Sequence, residues 1–122
     1  MTMNKRQMGG DGEYDVHDYL LGQGYHILAM NYRRFTGEID VIAEKGGTIV
    51  FSEVKRRTSA RYGRPAEAVT PAKQRRIVRT ALLFLQEKHL TESPVRFDVI
   101  ELLPGSLNHI ESAFDATGMG AF

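Results

Sequence analysis

Two adjacent glycines, Gly46 and Gly47, stand between two runs of alternating apolar and polar residues, Gly37 to Ala43 and Thr48 to Arg56. A two-residue loop of this composition closes a β-hairpin, because glycine adopts the positive φ angles that such a tight reversal needs. The loop also sets the register. Lys45 pairs with Thr48, and counting back along both strands places Asp40 opposite Glu53, with Cβ atoms roughly 5 Å apart. Lys55 follows Glu53 by two residues, so strand alternation puts it on the same face. The same alternation predicts Ile39, Val41 and Ala43 on one face of the first strand, and Glu38, Asp40 and Ile42 on the other.

Opposed carboxylates on neighbouring strands repel each other unless a positive charge lies between them. A divalent cation answers that need, since magnesium takes one or two carboxylates and fills its remaining positions with water or phosphate oxygens. Lys55 beside it would orient a water or neutralise charge developing on phosphorus. The plainer reading is a solvated sheet face on which Lys55 pairs with the two acids.

The remaining elements follow from periodicity. Asp11 is the expected N-cap of a first helix carrying Val16, Tyr19 and Leu20 as its apolar stripe, ended by Gly22-Gln23-Gly24. His26 to Arg34 reads as a strand. Thr70-Pro71 supplies an N-cap and first-turn pair for a second helix running to about His89, with Ile77, Val78, Ala81, Leu82 and Leu85 as its buried face. Arg96 to Leu103 and Asn108 to Ala113 read as two further strands, joined through Pro104-Gly105. Residues 11–114 thus form one α/β domain, with 1–10 and 115–122 expected to be flexible termini.

Charge is unevenly distributed. Between Val54 and Thr80 lie Lys55, Arg56, Arg57, Arg61, Arg64, Lys73, Arg75, Arg76 and Arg79, against the single acid Glu67. The rest of the chain is correspondingly acidic, so the net charge of +1 conceals a local positive surface suited to a phosphate backbone. Charge alone does not separate that reading from a solvated helix face and polar loop. Tyr62, between Arg61 and Arg64, is available to stack on an unpaired base. There is no cysteine, which excludes disulfides and thiolate chemistry and suits a cytoplasmic location. No apolar run approaches the ~20 residues of a membrane span. His17, His26, His89 and His109 share no ligand spacing, and Asp98 is expected to buttress Arg96 rather than to act in catalysis.

Gly37-Glu38-Ile39-Asp40 followed by Phe51-Ser52-Glu53-Val54-Lys55 resembles the PD-(D/E)XK signature of restriction-endonuclease-like nucleases. Further matches run from Gly12-Glu13 through Asn31-Tyr32-Arg33, Pro65 to Val69, Arg96 to Val99 and His109-Ile110 to Phe114. Over this span the chain is similar to the YraN-like family of uncharacterised bacterial proteins, expected to be Holliday-junction-resolvase-like. The resemblance implies an α/β/α core with a mixed sheet of about five strands flanked by two main helices. It implies Asp40 and Glu53 as ligands of Mg2+ (or Mn2+), the Val54 carbonyl as a third ligand, Lys55 as catalytic lysine and Glu13 as an added acidic residue. The expected activity is metal-dependent hydrolysis of phosphodiester bonds in structured or branched DNA, with no membrane partner and with scope for a homodimer. The alternative is a nucleic-acid-binding module of the same fold with little or no activity. Ser52 departs from the family pattern but falls on the strand face opposite the acids, and Asp15 to Asp18 replace its alanine-rich first helix.

Overall fold

The computed structural model describes residues 15–57 and 69–116. Expectations for Asp11, Glu13, Arg61, Tyr62, Arg64 and both chain ends lie outside them. The described chain runs α1 (Val16–Gly22), β1 (His26–Arg34), β2 (Gly37–Lys45), β3 (Thr48–Arg56), α2 (Pro71–Glu87), β4 (Val95–Leu103) and β5 (Ser106–Phe114). The five strands form one sheet in sequence order. Only β3 and β4 pair in parallel, and α2 is the crossover between them. No helix among the described residues is long and apolar enough to cross a membrane.

Each sheet face carries its own core. Val16 and Leu20 of α1 pack with Tyr25, Val41, Ala43, Val50, Ile100 and Leu102. On the other face, Ile77, Val78, Ala81, Phe84 and Leu85 of α2 pack on Ile39, Ile42, Ile49, Phe51 and Phe97. The arrangement is α/β with a mixed five-stranded sheet between two helices, as the sequence predicts. In α2 it is Phe84, rather than Leu82, that fills the core. Its ring meets Tyr32 and Phe51 edge-on, at 5.3 Å and 6.1 Å. Phe51, Phe97 and Phe114 then stack in a row across β3, β4 and β5.

The helix starts are side-chain caps. Thr70 accepts the Lys73 N–H at 3.2 Å ahead of Pro71. The described α1 is capped by Asp15, whose carboxylate accepts the Asp18 N–H at 3.2 Å. The Gly46-Gly47 turn has φ values of +60° and +87°, and Lys45 pairs with Thr48 as read from the sequence.

The turn between β1 and β2 is clamped onto α2. Thr36 Oγ1 lies 2.7 Å from Thr80 Oγ1, and Thr80 Oγ1 donates to the Arg76 carbonyl at 2.8 Å. Gly37, at φ +149°, lets the strand come this close: a Cβ there would stand 3.3 Å from Thr80 Oγ1 and 3.5 Å from Arg76 Cβ. Gly37→Ala therefore combines backbone strain with a tight contact. It should cost about 1–3 kcal/mol in denaturant unfolding, with unchanged stability as the contrary result.

Candidate metal and nucleic-acid site

The site grows from a fault in the sheet. The β1–β2 ladder passes from Met30↔Val41 directly to Tyr32↔Ile39, and the β2–β3 ladder ends at Val41↔Ser52. Asp40 is thus unpaired on both sides. Its would-be partner Asn31 has φ +52°, a left-handed conformation that asparagine tolerates better than most residues. Asn31 and Asp40 act as one extra residue in each strand, and alternation slips past them. Ile39 consequently faces α2 together with Ile42, while Val41 and Ala43 face α1. Uniform alternation through β2 is therefore incorrect, and the pairing of Asp40 with Glu53 is not a rung of the ladder.

The Asp40 side chain takes over where the ladder stops. Its Oδ2 accepts the backbone N–H of Val54 at 2.7 Å, and its other oxygen makes no hydrogen bond among the described residues. Asp40 lines two hollows. One, of about 150 Å³, lies toward α2 and is lined also by Gly37, Glu38, Glu53, Lys73 and Arg76. The other, of about 510 Å³, lies toward α1, with Asp15, His17, Asn31, Val54 and Arg56.

Glu53 is buried, 7% exposed, and ion-paired with Lys73 Nζ from the first turn of α2. Burial raises its pKa, and the charge of Asp40 adds to that, with Lys73 and Lys55 offsetting only part. For Lys73, burial works against the charged form, but the bond to Glu53 outweighs it and its pKa is raised. Asp40, Glu53, Lys55 and Lys73 are therefore electrostatic neighbours. Lys73 was expected on a basic surface; it is instead Glu53's counter-ion, twenty positions away in sequence.

The other predicted basic residues divide. Arg75, Arg76 and Arg79 are exposed along α2. Arg56 is exposed and borders the α1-side hollow. Arg57 turns inward: its Nε lies 2.9 Å from Oε2 of the buried Glu101, and its side chain is 13% exposed. That corrects its place on the phosphate-facing surface.

Among the residues near α1, the ligand atoms of Asp15, His17 and Asp18 lie within 4.8 Å of one another. The Asp15 cap and a 3.3 Å contact between His17 Nδ1 and Asp18 Oδ1 account for that cluster. Asp98 is fully buried and bonded to Arg96, as expected. The sequence pattern did not reveal its further partners, His109 Nε2 at 2.7 Å and the Ser112 N–H at 3.0 Å.

A mixed sheet between two helices, with a carboxylate–lysine cluster where its central hairpin splays, defines an α/β domain with a restriction-endonuclease-like core. The chain belongs to the uncharacterised protein family UPF0102, whose model matches residues 12–102. It is 49% identical over 117 residues to a UPF0102 protein of Lachnoclostridium phytofermentans, covering 95% of this chain and 99% of the relative. A UPF0102 protein of Symbiobacterium thermophilum is 50% identical over 100 residues, 82% of this chain and 85% of the other. One from Persephonella marina is 42% identical over 107 residues, 88% and 92% of the two chains.

Proposed function

We propose that this protein is a metal-dependent nuclease that hydrolyses phosphodiester bonds in structured or branched DNA. The observation that carries the reading is the double break in the sheet at Asp40, which brings two carboxylates and two lysines together beside an exposed row of arginines. Burial and the charge of Asp40 raise the pKa of Glu53, so the cluster opposes its own full ionisation.

The donor set fits a hard divalent cation. Among the described residues Asp40 keeps one oxygen uncommitted, Glu53 lies in the same hollow, and both are the oxygen ligands that magnesium or manganese prefers. The Val54 backbone, already tied to Asp40, lies beside them. Such an ion supplies Lewis-acid polarisation of a phosphate oxygen and a more acidic water. Lys55 places a positive charge beside the position where charge builds on phosphorus, and it is fixed there by its strand. Lys73 pairs with Glu53 and favours its ionised form, the form in which the carboxylate would hold a cation. Arg75, Arg76 and Arg79 give the phosphate backbone a place to lie without reading its sequence.

The test is cleavage of four-way junction, flap, single-stranded and duplex DNA by the purified protein with magnesium or manganese. Turnover that chelator abolishes and Lys55→Ala cuts by at least tenfold is the expected result. The absence of cleavage on every substrate would overturn it. The Lys73–Glu53 ion pair favours one alternative, a binding module whose carboxylate is permanently occupied by the lysine. That alternative gives salt-sensitive DNA binding, weakened by Arg75→Ala, with no turnover under any metal.

A further inference from the structure

Phe35 occupies the turn between β1 and β2 and is 93% exposed, more than any other large apolar side chain among the described residues. Single exposed apolar residues are ordinary on protein surfaces. Two features set this one apart. Its turn is held rigidly, by the bond from Thr36 to Thr80 and the close approach of Gly37 to Arg76. The helix that supports it also presents positive charge. The nearby acids are paired, Glu38 with Arg33 at 3.3 Å and Glu87 with Arg34 at 3.0 Å. Exposed Arg75, Arg76 and Arg79 lie along the helix that supports the turn.

We infer that Phe35 is a stacking wedge that receives an unpaired nucleobase at a DNA branch point. An aromatic face is the surface on which any base stacks, and a flanking basic ridge holds the strand's phosphates. The spacing suits this role. Lys73, which touches Glu53, and Thr80, which anchors the turn, are seven residues apart on α2. At 1.5 Å rise per residue that is about 10 Å along the helix. Gly37 of the same turn lines the hollow that holds Asp40 and Glu53, so a base stacked on Phe35 lies within a few nucleotides of a phosphate at the acidic cluster. A continuous duplex offers no unstacked base at that point, whereas a flap or four-way junction does. The wedge therefore selects for branched DNA. This inference rests on the nucleic-acid reading above but not on turnover.

Its test is binding without divalent metal, using flap and four-way junction DNA carrying 2-aminopurine at the branch, and a paired duplex of equal length. The wild type should prefer the branched forms and quench the 2-aminopurine by stacking. Phe35→Ala should lose the quench and bind branched DNA about tenfold more weakly, with duplex binding unchanged. Phe35→Trp should keep both properties. Equal weakening on branched and duplex DNA in Phe35→Ala, no change on either, or a wild type indifferent to branching would overturn the wedge. The Phe35→Ala outcomes leave the nuclease reading to its own cleavage assay, a wild type indifferent to branching also removes its branched substrate, and wild-type protein that binds no DNA sinks both.

Discussion

Asp40→Asn should lower metal-dependent DNA cleavage by roughly two to three orders of magnitude, about the effect of removing one charge-stabilising group from a hydrolytic site. The same variant should fold at least as stably as the wild type. The amide oxygen can still accept the Val54 N–H that now goes to Oδ2 at 2.7 Å, so the bridge across the splayed strands survives. What disappears is a negative charge that opposes ionisation of buried Glu53. Removing it relieves repulsion in the metal-free protein, in the way that functional sites commonly trade stability for activity. Cleavage rate and melting temperature measured on one preparation provide the check. A variant that keeps wild-type turnover would remove Asp40 from the site. One that loses activity because it unfolds would make Asp40 a structural residue instead.

The central hairpin was the most legible part of the chain, because two glycines fix both a turn and a register within a few residues. That register and the strand period draw Asp40, Glu53 and Lys55 to one neighbourhood, but as rungs of an unbroken ladder, whereas the β2–β3 pairing ends at Val41↔Ser52. Thr70-Pro71 was legible for a similar local reason, since the capping bond spans three residues. The alternation slip was not. It needs Asn31 on one strand and Asp40 on the next to leave the ladder together, and a single strand's pattern carries no trace of its neighbour. Side-chain reach was hidden as well. The charge pattern shows that Lys73 and Arg57 are basic, but only the packing of α2 and β4 against β3 shows that each ends on a buried glutamate. Leu82 and Phe84 differ by about 200° around the helix, and both border the apolar stripe. Which one is buried depends on where the rings of Tyr32 and Phe51 lie.

Asp98→Ala should be the most destabilising of these substitutions, costing about 3–5 kcal/mol, the usual loss when one partner of a buried ion pair is removed. Asp98 is fully buried and accepts from Arg96 at 2.9 Å and 2.8 Å, while His109 lies 2.7 Å away. It also accepts the N–H of Ser112, which sits at φ +51° where the β4–β5 pairing is irregular. His109 in turn bonds Tyr19 of α1 at 2.9 Å, so one carboxylate ties β4, β5 and the first helix together. Truncation leaves the Arg96 guanidinium partly buried, with Tyr25 and Glu111 as its remaining partners, and orphans the Ser112 N–H. Burial works to raise the pKa of Asp98, but the bonds from His109, Arg96 and Ser112 outweigh it and hold the pKa below the ordinary aspartate value. A carboxylate with a depressed folded pKa contributes stability that is fully present above its unfolded value, near 3.8, and lost as pH falls through the folded one. The gap between wild type and Asp98→Ala should therefore be constant at neutral pH and narrow only below about pH 4. Denaturant unfolding of both proteins between pH 7 and pH 3 measures it. A gap that stays constant to pH 3, or one that is absent at pH 7, would show that the ionised carboxylate does not hold these three elements together.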